Sequence, residues 1–422
     1  MKRTLIVASL VVGFCTSVAS AQGRPPVPPR PRGDGPPRGG GGYSIEQATS
    51  DRAQLNTIAF DGLAFLTGDR CSCTFIPPGK VSDYFGFQYM RDIDAGEGGH
   101  NTSFLTRIAN ATLAVLTDAQ KAQLVALAQA QEHPIEALAY QRFPLIDAFD
   151  RLRTGDVPAG RQLDRAAVLN ASADLYERDG ILAYDRAQVV GAVIRSLSDG
   201  QRAALARLKF GDSSTWPAMP DQVDKRSLSH RAHVAVMTYA SEMFSWYAGS
   251  VEADTYFCPE RHGMYFGAFY MKDAPAMGQR NYSISTRLTG DSGEAFLAAL
   301  TDAQRERITS IPAWQRPKMD EIVRVRREIS TELRRFMTQD SADRAKVLVL
   351  SRRYGELDGE LSYVYATRFA EVARTLSSGQ AQRLMTLRNL DGYTCRGAYV
   401  YSQPARWPDG LNSDALFTQG GR

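Results

Sequence analysis

His230 and His233 stand three residues apart in a stretch of helical pattern, a spacing that can place two imidazoles on one metal ion. The chain holds only five histidines and no counterpart pair in its first half, so two polar surface histidines are the simpler reading. Cys71-Ser72-Cys73 brings two thiols close together. They can pair with each other under strain, bind a soft metal, or form disulfides elsewhere. Asp92, Asp94 and Glu97 suggest a calcium loop but lack the further oxygen ligands and terminal Glu of an EF-hand. Glu177 and Asp179 recur as Glu356 and Asp358, yet the Glu-x-x-His companions that di-iron bundles use are missing beside them. The chain has no Gly-x-Ser-x-Gly elbow, no Cys-x-x-Cys and no phosphate loop. Nothing in these spacings argues for an enzyme, and no cofactor or resident metal is expected.

The strongest pattern is repetition. Tyr84-Phe85-Gly86-Phe87-Gln88-Tyr89-Met90 returns as Tyr265-Phe266-Gly267-Ala268-Phe269-Tyr270-Met271, 181 positions later. Asn101-Thr102-Ser103 returns as Asn281-Tyr282-Ser283, Leu116-Thr117-Asp118-Ala119-Gln120 as Leu300-Thr301-Asp302-Ala303-Gln304, and Asp179-Gly180 as Asp358-Gly359. Colinear similarity of this kind implies a tandem duplication, with residues 43–222 and 223–402 forming two similar helical units. The aromatic clusters at 84–90 and 265–271 read as loops wedged into each bundle, with an apolar client groove as the alternative.

Lys2 and Arg3 precede an apolar run from Leu5 to Phe14, and Ala19-Ser20-Ala21 supplies the small residues that a signal peptidase needs. Residues 1–21 are therefore read as a signal peptide cleaved after Ala21, which makes the mature chain periplasmic or secreted. That run is too short to span a bilayer as a helix, and no membrane span is expected. Residues 22–42, rich in Gly, Pro and Arg, read as a disordered leader, and 403–422 as a carboxy-terminal tail.

The chain has 50 basic and 46 acidic residues, a net charge of +4. Lys2 and Arg3 contribute +2 of this, and Arg24, Arg30, Arg32 and Arg38 with Asp34 contribute +3, so the body is nearly neutral. It lacks the basic stripe of a nucleic-acid binder. Cys71, Cys73, Cys258 and Cys395 remain after cleavage; an even number in an exported chain points to disulfides, with Cys258 and Cys395 a candidate pair flanking the second half.

Between the loops the pattern is helical, and the expected class is all-α. Within 117–131, Leu124, Leu127 and Ala128 recur at helical spacing. Segments 164–196 and 342–375 contain no proline and read as long helices. Gly180 and Gly359 inside them mark a kink or break, since interior Gly costs about 1 kcal/mol relative to Ala. Pro134, Pro144, Pro158, Pro217, Pro220, Pro312 and Pro317 punctuate starts and turns. Four short motifs open helices: Leu116–Gln120, Leu197–Gln201, Leu300–Gln304 and Leu376–Gln380. Each reads as a capping box, with Thr117, Ser198, Thr301 and Ser377 at the N-cap and Gln120, Gln201, Gln304 and Gln380 reaching back from the first turn.

The boxes form two pairs, 81 and 76 residues apart. This layout resembles the periplasmic LTxxQ-motif family of Spy- and CpxP-like helical proteins. The second and fourth boxes begin Leu-Ser, each half has an extra amino-terminal helix (about 46–66 and 227–248), and there is no His-rich tail. The resemblance implies helical hairpins opened and closed by the two boxes, and ATP-independent binding of unfolded or envelope proteins or modulation of an envelope-stress response. It also implies cradle-shaped antiparallel dimers, which a duplicated chain would reproduce as an internal pseudo-dimer within a monomer. Two alternatives stand beside it: an exported structural or assembly module without catalysis, and a periplasmic metal binder using Cys71, Cys73, His230 and His233.

Client contact is expected on Ile322, Val325, Ile329, Leu333 and Phe336, framed by Arg324, Arg327 and Arg334, with a counterpart near 136–152. Facing outward, these apolar residues would line a concave surface. Facing inward, they would be core and the charges a solvated face.

Overall fold

Side-chain oxygens start several of the helices. Ser50 caps α2 (Asp51–Leu66), accepting from the Ala53 N–H at 3.3 Å. Asp164 and Asp343 do the same for the two longest helices, α6 (Arg165–Arg195) and α13 (Arg344–Ala373). Ser229 opens α8 (His230–Ala248). A single turn, α1 (Ile45–Ala48), precedes α2. The first half also holds α3 (Ser103–Leu113), α4 (Asp118–Gln141), α5 (Phe143–Thr154) and α7 (Asp199–Ala206). The second holds α9 (Val251–Tyr256), α10 (Ser292–Ala299), α11 (Asp302–Thr309), α12 (Ile311–Arg334) and α14 (Ser378–Arg388).

The computed structural model describes residues 45–68, 103–208, 216–256, 275–276, 279–283, 292–388, 399–400, 403–404 and 406–420. Among them the fold is all-α, and strand is confined to short antiparallel pairs. The expected signal peptide (1–21), the leader (22–42), Cys71, Cys73, Cys258, Cys395, the calcium-like loop at 92–97 and the aromatic stretches 84–90 and 265–271 lie outside the described residues. Among the described residues no helix is long and apolar enough to cross a membrane.

Proline placement corrects one expectation. Pro144 and Pro312 do sit in first turns, those of α5 and α12. Pro134 and Pro317 instead lie inside α4 and α12. Burial of Ile135 and Leu138 beyond the first, and of Gln315 and Met319 around the second, holds each helix together past its missing N–H. The two halves thus break at different points, because Pro312 ends the preceding helix earlier than Pro144 does. The copies also diverge at Ser103, which begins α3, whereas Ser283 ends a strand over Gln279–Ser283.

Gly180 and Gly359 do not break their helices; α6 and α13 run unbroken through them. Their role is close approach. A Cβ on Gly180 would collide with the Ser351 side chain, one on Gly359 would lie 2.8 Å from Ser172 Cβ, and one on Gly355 would lie 2.5 Å from the Ser172 carbonyl oxygen. The two long helices pack against each other along this seam of small residues, where Tyr176 and Tyr354 meet edge to face at 4.7 Å.

The repeats are units of sequence, but in space their helices interleave. α2 packs against α10, α11, α12, α13 and α14, all from the second half. α8 packs against α3 and α4, both from the first. The amino-terminal helix of each half therefore completes the bundle of the other, and the described residues form one body that the boundary at 222/223 does not divide. The tail joins it too: Phe417–Gln419 pairs antiparallel with Arg161–Leu163, and Ser413 donates to Asp147 at 2.6 Å.

Candidate functional site

The four capping boxes come together in pairs. Thr117 Oγ1 accepts from the Gln120 N–H at 3.3 Å, and Gln120 Oε1 accepts from the Thr117 N–H at 2.9 Å. Ser198 with Gln201, Thr301 with Gln304 and Ser377 with Gln380 repeat this reciprocal bonding. The amide groups then reach across. Gln201 Nε2 donates to Gln120 Oε1 at 2.7 Å and to the Val115 carbonyl at 2.8 Å, while Gln120 Nε2 donates to Ser196 Oγ at 2.9 Å. In the second half Gln380 Nε2 donates to Gln304 Oε1 at 2.8 Å and to the Ala299 carbonyl at 3.0 Å, while Gln304 Nε2 donates to the Thr375 carbonyl at 3.0 Å. Two matching Gln–Gln clasps result, one joining α4 to α7 and one joining α11 to α14. Only an amide serves here, because each glutamine both accepts and donates.

A second set of polar residues lies in the bundle interiors. Arg186 is fully buried, donates to Glu242 Oε2 at 2.8 Å and lies over the Tyr239 ring at 4.2 Å. Tyr239 donates to Gln131 Oε1 at 2.8 Å, and Gln131 Nε2 donates to the Leu182 carbonyl at 2.9 Å. Burial works to lower the Arg186 pKa, but Tyr239, Glu242 and Asp179 outweigh it and hold the guanidinium above its ordinary value. Burial pushes the Tyr239 phenol up.

The second bundle is built differently. Tyr365 donates to Gln315 Oε1, and Gln315 Nε2 donates to Gln54 Oε1 at 2.7 Å. Asp61 and Asp358 lie beside this network, both buried. Burial first, and the Asp358 charge second, raise the Asp61 carboxyl well above its ordinary range. Tyr365 is pushed well up by burial, then by Asp61 and Asp358.

The expected client stripe is core. Ile322, Val325, Ile329, Leu333 and Phe336 are all buried, on the side of α12 that packs against α13 and α9. Ile146, Phe149 and Leu152 in the counterpart stretch are buried as well. The physical reason is ordinary amphipathicity: an apolar stripe lowers free energy most against other apolar stripes. The framing arginines divide. Arg324 is exposed and bonds Glu328 at 2.6 Å, and Arg327 bonds Glu252 at 2.8 Å. Arg334 is no frame residue; it grips the buried Asp254 with Nε at 2.6 Å and Nη2 at 3.0 Å, where Ser330 also donates at 2.6 Å.

Of the metal candidates, Cys71 and Cys73 lie outside the described residues, and His230 and His233 share one helix. His230 is exposed at the start of α8, and His233 is half-buried, its pKa lowered by burial and then by Lys225. Among the described residues no three His, Cys, Asp or Glu side chains come together as a metal would need. Glu177 pairs with Arg352 at 3.1 Å and Glu356 with Arg353 at 2.9 Å.

Arg186, Glu242, Tyr239 and Gln131, with Asp61, Tyr365, Gln315 and Gln54, were absent from the sequence reading. The repeat held a signal for them: Asp61 matches Glu242 and Gln131 matches Gln315 at the offsets of the neighbouring motifs. No family model, curated protein or solved structure matches the chain.

Proposed function

We propose that this chain is a non-catalytic, exported helical binding protein of the LTxxQ kind, an ATP-independent chaperone or envelope-stress modulator that holds unfolded or envelope proteins. The observation that carries this reading is the pair of Gln120–Gln201 and Gln304–Gln380 clasps, in which two boxes of one half close a helical hairpin. We read the two halves as an internal pseudo-dimer with exchanged amino-terminal helices. The reciprocal packing of Gly180 on Ser351 and Gly359 on Ser172, all positions related by 179 residues, supports that arrangement.

Client contact cannot use the buried stripe on α12. Among the described residues the exposed large apolar side chains are Met219, Trp314, Val349 and Met385, the last three on α12, α13 and α14. Clients would meet these, with the paired surface charges keeping the free protein soluble. The test is light scattering by a denaturing client mixed with the full-length chain without ATP. Suppression is expected, weakened when Trp314, Val349 and Met385 are all replaced by Ser, with little change in melting temperature. A chain that leaves client aggregation unchanged at equimolar ratio overturns the reading.

A further inference from the structure

α2 carries Gln54, Thr57 and Asp61 into the core; Thr57 donates to the Ala53 carbonyl of its own helix. Gly62 lets the helix approach closely: a Cβ there would lie 3.0 Å from the Phe369 ring and 3.1 Å from the Phe296 ring. Asp61 is fully buried, and neither of its carboxylate oxygens meets a hydrogen-bond donor. The Ser362 hydroxyl, one turn beyond Asp358 on α13, is likewise buried without a partner. An ionised carboxylate in such surroundings is much costlier than a neutral carboxylic acid.

The matching place in the first bundle holds a cation. There Arg186 bonds Glu242, the counterpart of Asp61, and stands near Asp179, the counterpart of Asp358. The residue that matches Arg186 in the second bundle is Tyr365. Around α2, α13 presents Asp358 and Tyr365, and α12 presents the neutral Gln315. Arg388 of α14 lies over the Phe60 ring at 5.4 Å. Arg305 and Arg307 of α11 bond Asp302 and Glu371. Arg153 of α5 bonds Asp150 beside Gly68, and Glu294 of α10 and Glu46 of α1 are exposed. The charge that acts on Asp61 is that of Asp358.

We propose that Asp61 is held as the neutral carboxylic acid where the first bundle has its Arg186–Glu242 pair, and that this proton latches α2 onto the second bundle. The inference is independent of the chaperone reading. Because the Asp61 carboxyl is raised in the fold, the stability it contributes is complete below its ordinary value of 3.8 and is lost as pH rises toward the folded value. Loss of the proton leaves a charge in the core on oxygens that meet no hydrogen-bond donor, and α2 loosens.

The test compares urea unfolding and amide exchange in 54–65 for the full chain and Asp61→Asn between pH 5 and pH 8. Relative to the variant, the wild-type folding constant should fall as pH rises, by up to about tenfold per pH unit, and α2 amides should lose protection first. A constant offset between the two proteins at every pH overturns the proposal. Stabilisation of the wild type by calcium or magnesium chloride at pH 8, absent in Asp61→Asn, also overturns it by assigning the centre to a metal ion. Should Asp61→Asn fail to fold, the wild-type chain alone decides: a folding constant and α2 amide protection that stay unchanged from pH 5 to pH 8 overturn the proposal.

Discussion

Where α6 brings Arg186 to Glu242, α13 brings Tyr365 to Asp61, although both places occupy matching positions of the repeat. The tyrosines show how the exchange was accommodated. Tyr239 reaches Gln131 from the amino-terminal helix α8, whereas Tyr365 reaches Gln315 from the long helix α13. The hydrogen bond to the glutamine is kept, and the helix that supplies it changes. One bundle therefore holds a buried carboxylate with a built-in counter-charge, and the other holds Asp61, whose oxygens meet no hydrogen-bond donor. The two matching places keep a buried polar centre and differ in its charge, so the two bundles should answer differently to loss of the same position.

The largest difference is expected there. Replacing Arg186 by Met leaves Glu242 buried without its cation and should cost about 3–5 kcal/mol in urea denaturation. Replacing Tyr365 by Phe removes one neutral hydrogen bond and should cost about 1–2 kcal/mol. Equal costs for the two would erase the contrast between the centres.

The seam between α6 and α13 sharpens the comparison in the other direction, since there the halves should behave alike. Gly180→Ala and Gly359→Ala each force a methyl group into an occupied serine site and should each cost about 1–3 kcal/mol. Thermal unfolding that shows one substitution tolerated and the other not would break the reciprocity of the packing. The smallest effect is expected at the caps, where Thr117→Ala and Thr301→Ala should each lose about 1 kcal/mol. A much larger loss at one than at the other, read by the same denaturation, would mean that the clasps carry unequal loads.

How far each feature is legible in the sequence follows the range of its interaction. A capping box is closed within four residues, so Thr117 and Gln120 announce it locally. The meeting of Gln120 with Gln201 is not local, and neither glutamine's second hydrogen bond can be read from its own motif. Gly180 looked like a kink because a single helix offers no other reason for a glycine; its reason is Ser351 on another helix. The stripe from Ile322 to Phe336 shows that periodicity identifies an apolar face without saying what covers it. Arg334, grouped by composition with exposed Arg324, differs from it through the buried Asp254 and the Trp246 carbonyl and ring across from it. The exchanged helices were hidden most deeply, because a repeat looks the same whether its first helix packs on its own half or on the other.

That exchange also sets an order in time. Gln54 of α2 bonds Gln315, 261 residues further along the chain, and α2 also packs against α14, which ends at Arg388. A chain made from its amino terminus therefore carries a finished but uncovered apolar helix until nearly all of its length exists. α8, by contrast, meets its partners as soon as it has followed α3 and α4. Synthesis thus yields a half-built molecule in which α8 has met α3 and α4 while α6 waits for α13 and α2 waits for its second-half partners.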